Sequence, residues 1–166
     1  RIDPIKNLDI LIKAFGANNN YDFQLVIAGD YSNIYGSYLR TIAQEGSNVI
    51  FVGSVMGADK DTLLRNCFIN CLVSSSEGMP ISLLEAMAYG KPCIVSDIPA
   101  IREIVQKDWV QWCKVKDIDS LSAQMRQAES NYIATNSHGR DMATYISNNH
   151  TWNIIARKYI NYIGSI

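Results

Sequence analysis

Residues 74–96, SSSEGMPISLLEAMAYGKPCIVS, limit the fold of this chain more than any other stretch. A short run rich in β-branched and aromatic residues (68–73, FINCLV) precedes it and KPCIVS ends it, so the unit predicts strand, loop, helix and strand. Pro80 suits the first turn of a helix and Gly90 suits its end, which predicts a helix over residues 80–89. Most side chains of this helix are apolar, which indicates a helix buried between neighbours.

Two glutamates, Glu77 and Glu85, lie in this unit with seven residues between them. Glu77 falls in the loop that faces the helix start, and Glu85 falls roughly two turns into the helix. The free amides of Ile81, Ser82 and Leu83, together with the helix dipole, predict an anion site suited to phosphate. Carboxylates suit the vicinal hydroxyls of a ribose or hexose. The residues alone leave two interpretations open: ligand binding, or a helix-capping acid at Glu77 and a buried ion pair at Glu85.

The rest of the chain alternates between apolar strands and amphipathic helices. This alternation predicts an α/β fold with a Rossmann-like, doubly wound parallel sheet flanked by helices. FQLVIAGD predicts a buried strand that ends at Gly29, and a later loop begins at Gly53, where a glycine permits close backbone approach. Asn7 is predicted to cap the first helix. The predicted helices are 7–17, 35–44, 59–66, 80–89, one opened by the DID of 117–119, 137–148 and 151–163, and the predicted strands include 23–30, 48–52, 68–73, 91–96 and 109–113.

Composition excludes several classes of protein. The chain has 166 residues, 48% of them hydrophobic and 19% charged, which fits one domain with a sizeable core. A formal net charge of −1 without a basic stripe argues against nucleic acid as a partner. No uncharged run approaches the roughly 18 residues of a membrane-spanning helix. The four cysteines lack paired metal-type spacing and are expected to be reduced core residues, and the aspartates of 117–119 are expected to cap a helix, so no metal is expected.

The run EGMPISLLEAMAYGKPCIVSD, followed by IPAIREIV, resembles the signature of the group 1 retaining, nucleotide-sugar-dependent glycosyltransferases of GT-B architecture. The resemblance covers essentially the whole chain but lacks a first strand. It implies that residues 1–166 are one nucleotide-sugar-binding domain, the C-terminal half of such an enzyme, without its N-terminal acceptor domain. Many members have Gly-Phe-Gly after the first glutamate, where this chain has Gly78, Met79 and Pro80. Because Pro80 lacks an N–H, the contact there would come from Met79, Ile81 or Ser82.

The same resemblance assigns site residues. Arg1 and Lys6 match the arginine and lysine of the family's opening G-R-x-x-x-x-K-N, which hold the diphosphate of the donor. Glu77 would face the donor sugar near its reacting carbon, and Glu85 would hold the ribose hydroxyls. The implied catalytic residues are therefore Glu77, Arg1 and Lys6, and the implied donor-binding residues are Gly29, Gly53, Val55, Met56, Gly78, Met79, Pro80, Ile81, Ser82 and Glu85.

The implied function is sugar transfer from a nucleotide diphosphate sugar to a glycan or lipid-linked acceptor, in polysaccharide biosynthesis. No cofactor and no metal are expected, because cationic side chains would neutralise the leaving group. The acceptor would bind the absent N-terminal domain, and a cytoplasmic location is expected, with peripheral attachment at the inner face of a membrane as an alternative. Two rivals remain: a non-catalytic sugar-nucleotide-binding module, and an epimerase or phosphorylase of similar build, although the cofactor lysine motif of phosphorylases is absent.

Overall fold

The structure, a computed structural model, describes residues 2–17, 23–43, 48–105 and 107–164. Within these ranges short strands alternate with helices, which confirms the predicted α/β class. The strands are β1 (Leu25–Ala28), β2 (Val49–Gly53), β3 (Asn70–Leu72), β4 (Cys93–Ser96) and β5 (Gln111–Cys113). The α-helices are α1 (Leu8–Gly16), α2 (Ile34–Ile42), α3 (Gly57–Asn66), α4 (Ile81–Ala88), α5 (Pro99–Arg102), α6 (Ile118–Ser130), α7 (Tyr132–Thr135), α8 (Gly139–Asn149) and α9 (Trp152–Ile163), with 3-10 turns at Pro4–Lys6 and Lys107–Trp109.

The strands pair in parallel, as predicted, but in two ladders. β1 pairs with β2, and β3, β4 and β5 form a second sheet in that order. Side chains connect the two ladders: Leu25 of β1 and Cys71 of β3 pack in one apolar cluster. The rings of Phe23 and Phe68, which precede these two strands, stack with centroids 4.4 Å apart. The division was not predicted, because apolar runs mark strands but do not say which strands share hydrogen bonds.

Strand β4 separates two apolar layers. All four of its residues are buried, as expected for a strand covered on both faces of a parallel sheet. Its side chains alternate, so that Val95 packs with Leu83 of α4 and Met142 of α8, whereas Ile94 packs with residues of α1 and α6 such as Leu121. Helices therefore cover both faces of the second sheet, in the layered arrangement that the alternation predicted.

Helix α4 begins and ends where its flanking residues predicted, within one residue. Pro80 precedes it in an inverse γ-turn, with φ −79° and ψ 69°, and the Ile81 amide donates to the Met79 carbonyl at 2.9 Å. Gly90 follows it with φ +64°, where a glycine is favoured. The Lys91 amide reaches back to the Ala86 carbonyl at 3.0 Å, which completes a Schellman cap.

Two apolar surfaces are open to solvent, one of them on a strand that was predicted to be buried. Strand β1 was expected to be buried, yet Val26 is 41% exposed, because α1 and α2 cover the other face, where Ile27 is buried. Helix α9 has no buried residue, and its large side chains Trp152 and Tyr159 are 80% and 68% exposed. Among the described helices, none is both long and apolar enough to cross a membrane.

Candidate functional site

Lys6 and Glu77, which the sequence analysis assigns to one ligand, form an ion pair across 71 residues of sequence. Lys6 ends the 3-10 turn Pro4–Lys6, which starts with Asp3 accepting a hydrogen bond from the Ile5 amide at 3.1 Å. Its Nζ lies 2.6 Å from Oε1 of Glu77, whose side chain is only 8% exposed.

A buried serine holds the same carboxylate oxygen. Ser74 donates its hydroxyl to Oε1 of Glu77 at 2.5 Å. Lys6 and Ser74 both contact Oε1. The second oxygen of Glu77 accepts no hydrogen bond from the residues that the structure describes. The arrangement therefore orients the carboxylate and leaves one strong acceptor for a ligand.

Glu85 has a basic partner that the sequence did not reveal. Lys60 of α3 places its Nζ 2.6 Å from Oε1 of Glu85 on α4. This hydrogen bond raises the pKa of Lys60 above its ordinary value. The two side chains are 39% and 35% exposed, so Glu85 lies in a half-open ion pair that a ligand can reach, not in the buried pair of the alternative interpretation.

The start of α4 offers fewer free amides than predicted. The Ile81 amide donates to Met79 O, and the Leu83 amide donates to Pro80 O at 3.0 Å, because the γ-turn at Pro80 points these carbonyls along the helix. Only the Ser82 amide of the three lacks a backbone acceptor within the described chain. The predicted anion site at Ile81, Ser82 and Leu83 is thus corrected to a single backbone donor.

The residues around this turn differ in their accessibility. Pro80 is fully buried, whereas Met79 and Ile81 are about half exposed. At Gly78, no atom lies within 4 Å of where a Cβ would stand, so that side of the loop faces open space. The loop before α4 is therefore open to solvent at Gly78, Met79 and Ile81.

Gly29 and Gly53 meet at the carboxyl ends of β1 and β2. The Gly29 amide donates to the Gly53 carbonyl at 2.7 Å, and both residues have positive φ, 146° and 73°. A Cβ on Gly29 would lie 3.0 Å from Cγ1 of Ile2, whereas a Cβ on Gly53 would have no neighbour within 4 Å. Beyond Gly53, Val55 is half-buried and Met56 is 81% exposed, so this loop remains accessible.

Arg1 lies outside the described residues, so its predicted place on the diphosphate stays a prediction. Sequence reasoning also missed Lys60, which stands in the run DKD of residues 59–61, whose aspartates the sequence, as at 117–119, predicts to cap a helix. The cap position of α3 is in fact Met56, without a side-chain cap. No local pattern links Lys60 with Glu85, because they lie on different helices and 25 residues apart. Within 2–17, 23–43, 48–105 and 107–164, no three His, Cys, Asp or Glu side chains group as a metal site would require.

The chain is similar to known proteins in sequence and in structure. Residues 1–149 match the model of a sequence family described as Glycosyl transferases group 1. Over 73 residues the chain is 40% identical to an N,N'-diacetylbacillosaminyl-diphospho-undecaprenol alpha-1,3-N-acetylgalactosaminyltransferase of Campylobacter jejuni, covering 42% of this chain and 19% of the relative. Over 171 aligned positions it is 27% identical to an uncharacterized glycosyltransferase of Methanocaldococcus jannaschii, covering 97% of this chain and 42% of the relative.

Solved structures share the fold. The structure of Alr3699/HepE from Anabaena in complex with UDP and glucose superposes with a TM-score of 0.90 at 19% identity, over 100% of this chain and 47% of that one. A glycosyltransferase of Rickettsia africae superposes with a TM-score of 0.89 at 16% identity, over 98% and 45%. The chain thus spans less than half the length of each of these relatives. The family match extends over most of its residues, and the chain belongs to the group 1 glycosyl transferases.

Proposed function

We propose that this chain is the donor-binding domain of a retaining glycosyltransferase that moves a hexose-type sugar from a nucleotide diphosphate sugar to a glycan or lipid-linked acceptor. The observation that carries the proposal is the Lys6–Glu77 pair, with Nζ and Oε1 2.6 Å apart, beside the open start of α4. It brings a cation from the beginning of the chain to a carboxylate whose second oxygen is available.

Lys6 would neutralise the diphosphate as the bond to the sugar breaks. When the anion binds, the flexible ammonium can move from Glu77 to a phosphate oxygen. The Ser82 amide and the positive end of the α4 dipole would add to this stabilisation. Arg1 is proposed as a second cation, and no metal is required in this scheme. Stabilising charge where it develops is commonly worth about 3 kcal/mol per donor.

The two glutamates would hold the two ends of the donor. Glu77 would accept a hydrogen bond from the transferred sugar through its second oxygen, and Glu85 would accept from ribose hydroxyls, sharing its carboxylate with Lys60. The base would lie against the loop that follows Gly53, where Val55 and Met56 are accessible.

Named relatives suggest the ligand class. The Anabaena structures contain UDP or UDP-glucose, and the Campylobacter relative is named for an undecaprenol-linked substrate. We therefore propose a uridine diphosphate sugar as donor and a lipid-linked or glycan acceptor in polysaccharide biosynthesis. The same proposal includes peripheral association of the whole protein with the inner face of a membrane, because a lipid-linked acceptor would lie there.

Titration calorimetry of the purified protein with UDP, ADP, GDP and UDP-glucose tests the donor site. At least one nucleoside diphosphate should bind, and Lys6→Met and Glu85→Gln should each weaken its binding about tenfold or more. Lys13→Met is the matched control, because Lys13 pairs at 3.9 Å with Asp9 within α1 and not with Glu77 or Glu85. Unchanged affinity in both site variants would refute the assignment.

Transfer is tested with the full-length protein. Incubation with the donor that binds should release nucleoside diphosphate, and NMR of the product should show retained anomeric configuration. Lys6→Met should lower kcat about 100-fold. Binding without transfer would instead support the non-catalytic module, and an inverted product would refute the retaining mechanism.

A further inference from the structure

Asn7 is a buried polar residue whose side chain does not cap the helix it precedes. It is 2% exposed and has φ 48° and ψ 40°, a left-handed conformation that asparagine tolerates better than most residues. Although Asn7 stands at the N-cap position of α1, its side chain makes no capping hydrogen bond, contrary to the sequence prediction. A different use of the amide must explain its burial.

The Asn7 side chain instead joins the start of the chain to the segment after β3. Its Nδ2 lies 2.8 Å from Val73 O and 2.8 Å from Oγ of Ser75. The Ser75 hydroxyl lies 3.1 Å from Oδ1 of Asn7, and the Ser75 amide donates to Ile5 O at 2.8 Å. We call this set of contacts among Ile5, Asn7, Val73 and Ser75 the Asn7 clasp.

The Asn7 clasp lies next to both members of the ion pair. Lys6 immediately precedes Asn7, and Ser74, which donates to Glu77, immediately precedes Ser75. Ser74 therefore holds Glu77 while the next residue, Ser75, holds Asn7. The clasp therefore fixes the backbone that carries Lys6 against the backbone that carries Glu77.

We propose that Asn7 and Ser75 are positioning residues that set the separation of the Lys6 ammonium and the Glu77 carboxylate. The consequence for diphosphate binding rests on the proposed function. A lysine side chain has four flexible bonds and about 2 kcal/mol of rotamer entropy, so a loose backbone would let the ammonium leave the pair. With the clasp in place, only the side chain has to move when an anion binds.

A double-mutant cycle on stability tests the clasp without any ligand. The coupling between Lys6→Met and Glu77→Gln in urea unfolding is measured in the wild-type, Asn7→Gly and Ser75→Ala backgrounds. Asn7→Gly keeps the left-handed backbone but removes the amide, and Ser75→Ala, the milder change, keeps the contact of Asn7 with Val73. We expect coupling in the wild type and its loss in both backgrounds.

Asn149→Ala is the matched control. It removes a side-chain amide that donates to Tyr145 O at 2.9 Å in α8, and it should leave the Lys6–Glu77 coupling unchanged. Equal coupling in the wild-type and Ser75→Ala backgrounds overturns the proposal, and so does an absence of coupling in the wild type. If Asn7→Gly fails to fold, the Ser75→Ala background decides alone.

A second measurement uses UDP and uridine as probes. Ser75→Ala and Asn7→Gly should each weaken the binding of UDP about tenfold and leave the binding of uridine unchanged, because uridine has no phosphate for Lys6 to contact. In a Lys6→Met background the same substitutions should cause no further loss of UDP affinity. If they acted only through a general loss of stability, they would lower UDP affinity whether or not Lys6 is present. If the wild type binds no nucleoside diphosphate, the proposed function fails, and the stability cycle still decides the role of Asn7.

Discussion

Lys60 and Glu85 differ from Lys6 and Glu77 in how much water reaches them. The Lys60–Glu85 pair is more than one-third exposed on both side chains, whereas Glu77 is 8% exposed. Exposed pairs contribute little to stability because water screens them and flexible side chains must be ordered.

We therefore expect Lys60→Met to change the free energy of unfolding by less than about 1 kcal/mol. Lys6→Met should cost about 1 to 3 kcal/mol, because it leaves a largely buried carboxylate without its charged partner. Urea unfolding of both variants at pH 7 gives the comparison. The reverse order of the two losses would contradict the burial of Glu77.

Buried thiols make stability depend on alkaline pH. Cys113 and Cys93 are 2% and 1% exposed, and burial raises the pKa of Cys113 to about 11 and that of Cys93 well above its ordinary value. In the unfolded chain a thiol ionises near pH 8.5. The stability that comes from a neutral buried thiol is therefore complete below about pH 8.5 and is lost as the pH rises towards 11.

Between pH 8 and pH 10 the free energy of unfolding should fall by about 1 to 2 kcal/mol more in the wild type than in Cys113→Ala. The variant loses packing at both pH values, so the difference between pH values is the quantity to measure, in urea with a reductant present. Identical pH dependence in the two proteins would mean that Cys113 ionises as readily in the fold as outside it.

Among individual residues, the sequence predicted which residue types form the site and some of the residues that lie together. Lys6 and Glu77 were predicted together, since a resemblance placed both on one ligand, and Gly29 was placed at a strand end. The sequence did not predict the roles of Lys60, Ser74 and Asn7. Each role depends on a contact with a residue 3 to 68 positions away, and the type of a side chain does not determine which residue it will contact.

Gly90, which follows α4, and Gly139, which begins α8, are in close backbone contact. A Cβ on Gly139 would lie 2.6 Å from the Gly90 carbonyl oxygen, and a Cβ on Gly90 would lie 2.9 Å from the Gly139 carbonyl oxygen. Backbone atoms cannot move aside as a flexible side chain could, so any larger residue must push the helices apart.

Gly139→Ala should therefore lower the free energy of unfolding by about 1 to 3 kcal/mol. Gly16→Ala is the matched control, because the site of its Cβ is open and alanine favours the helix by up to about 1 kcal/mol. Thermal unfolding of both variants should shift in opposite directions. A neutral Gly139→Ala would mean that the α4–α8 contact is looser than described.

Some helix ends were predicted well, whereas the cap expected at Asn7 was not found. Asp117 caps α6 as expected and accepts from the Ser120 amide, and Thr151 caps α9 and accepts from the Ile154 amide. The γ-turn at Pro80 was not foreseen, because a proline before a helix fixes φ but leaves ψ free, and it is ψ that directs the Met79 and Pro80 carbonyls.

Across the whole molecule, burial is uneven. β4 is buried throughout, whereas α9 has no buried residue and leaves several large apolar side chains in water. Regions with few buried contacts open locally at lower free energy than the core.

Amide hydrogen exchange should therefore be at least about 100-fold faster in residues 152–163 than in residues 93–96, measured by mass spectrometry at low protein concentration. The same measurement at tenfold higher concentration is the control for self-association through α9. Equal protection of the two segments at low concentration would show that something covers the helix.

The layers of the whole molecule were predictable, and their hydrogen-bond connectivity was not. Alternating strands and helices implied helices on both sides of parallel strands, which Ile94 and Val95 confirm by facing different helices. The break between β1 and β3 depends on long-range pairing, which periodicity within one segment cannot reveal.

The pairing of each lysine at the site with a glutamate has a kinetic consequence. At long range the positive charge of Lys6 is cancelled by Glu77, and that of Lys60 by Glu85. The whole chain carries a formal net charge of only −1. These two described pairs therefore exert little attraction on an approaching diphosphate until it reaches the start of α4, where the Lys6 ammonium can change partners. Its association rate should consequently vary little with ionic strength, unlike that of binding surfaces with unpaired basic side chains, which capture anions by long-range steering.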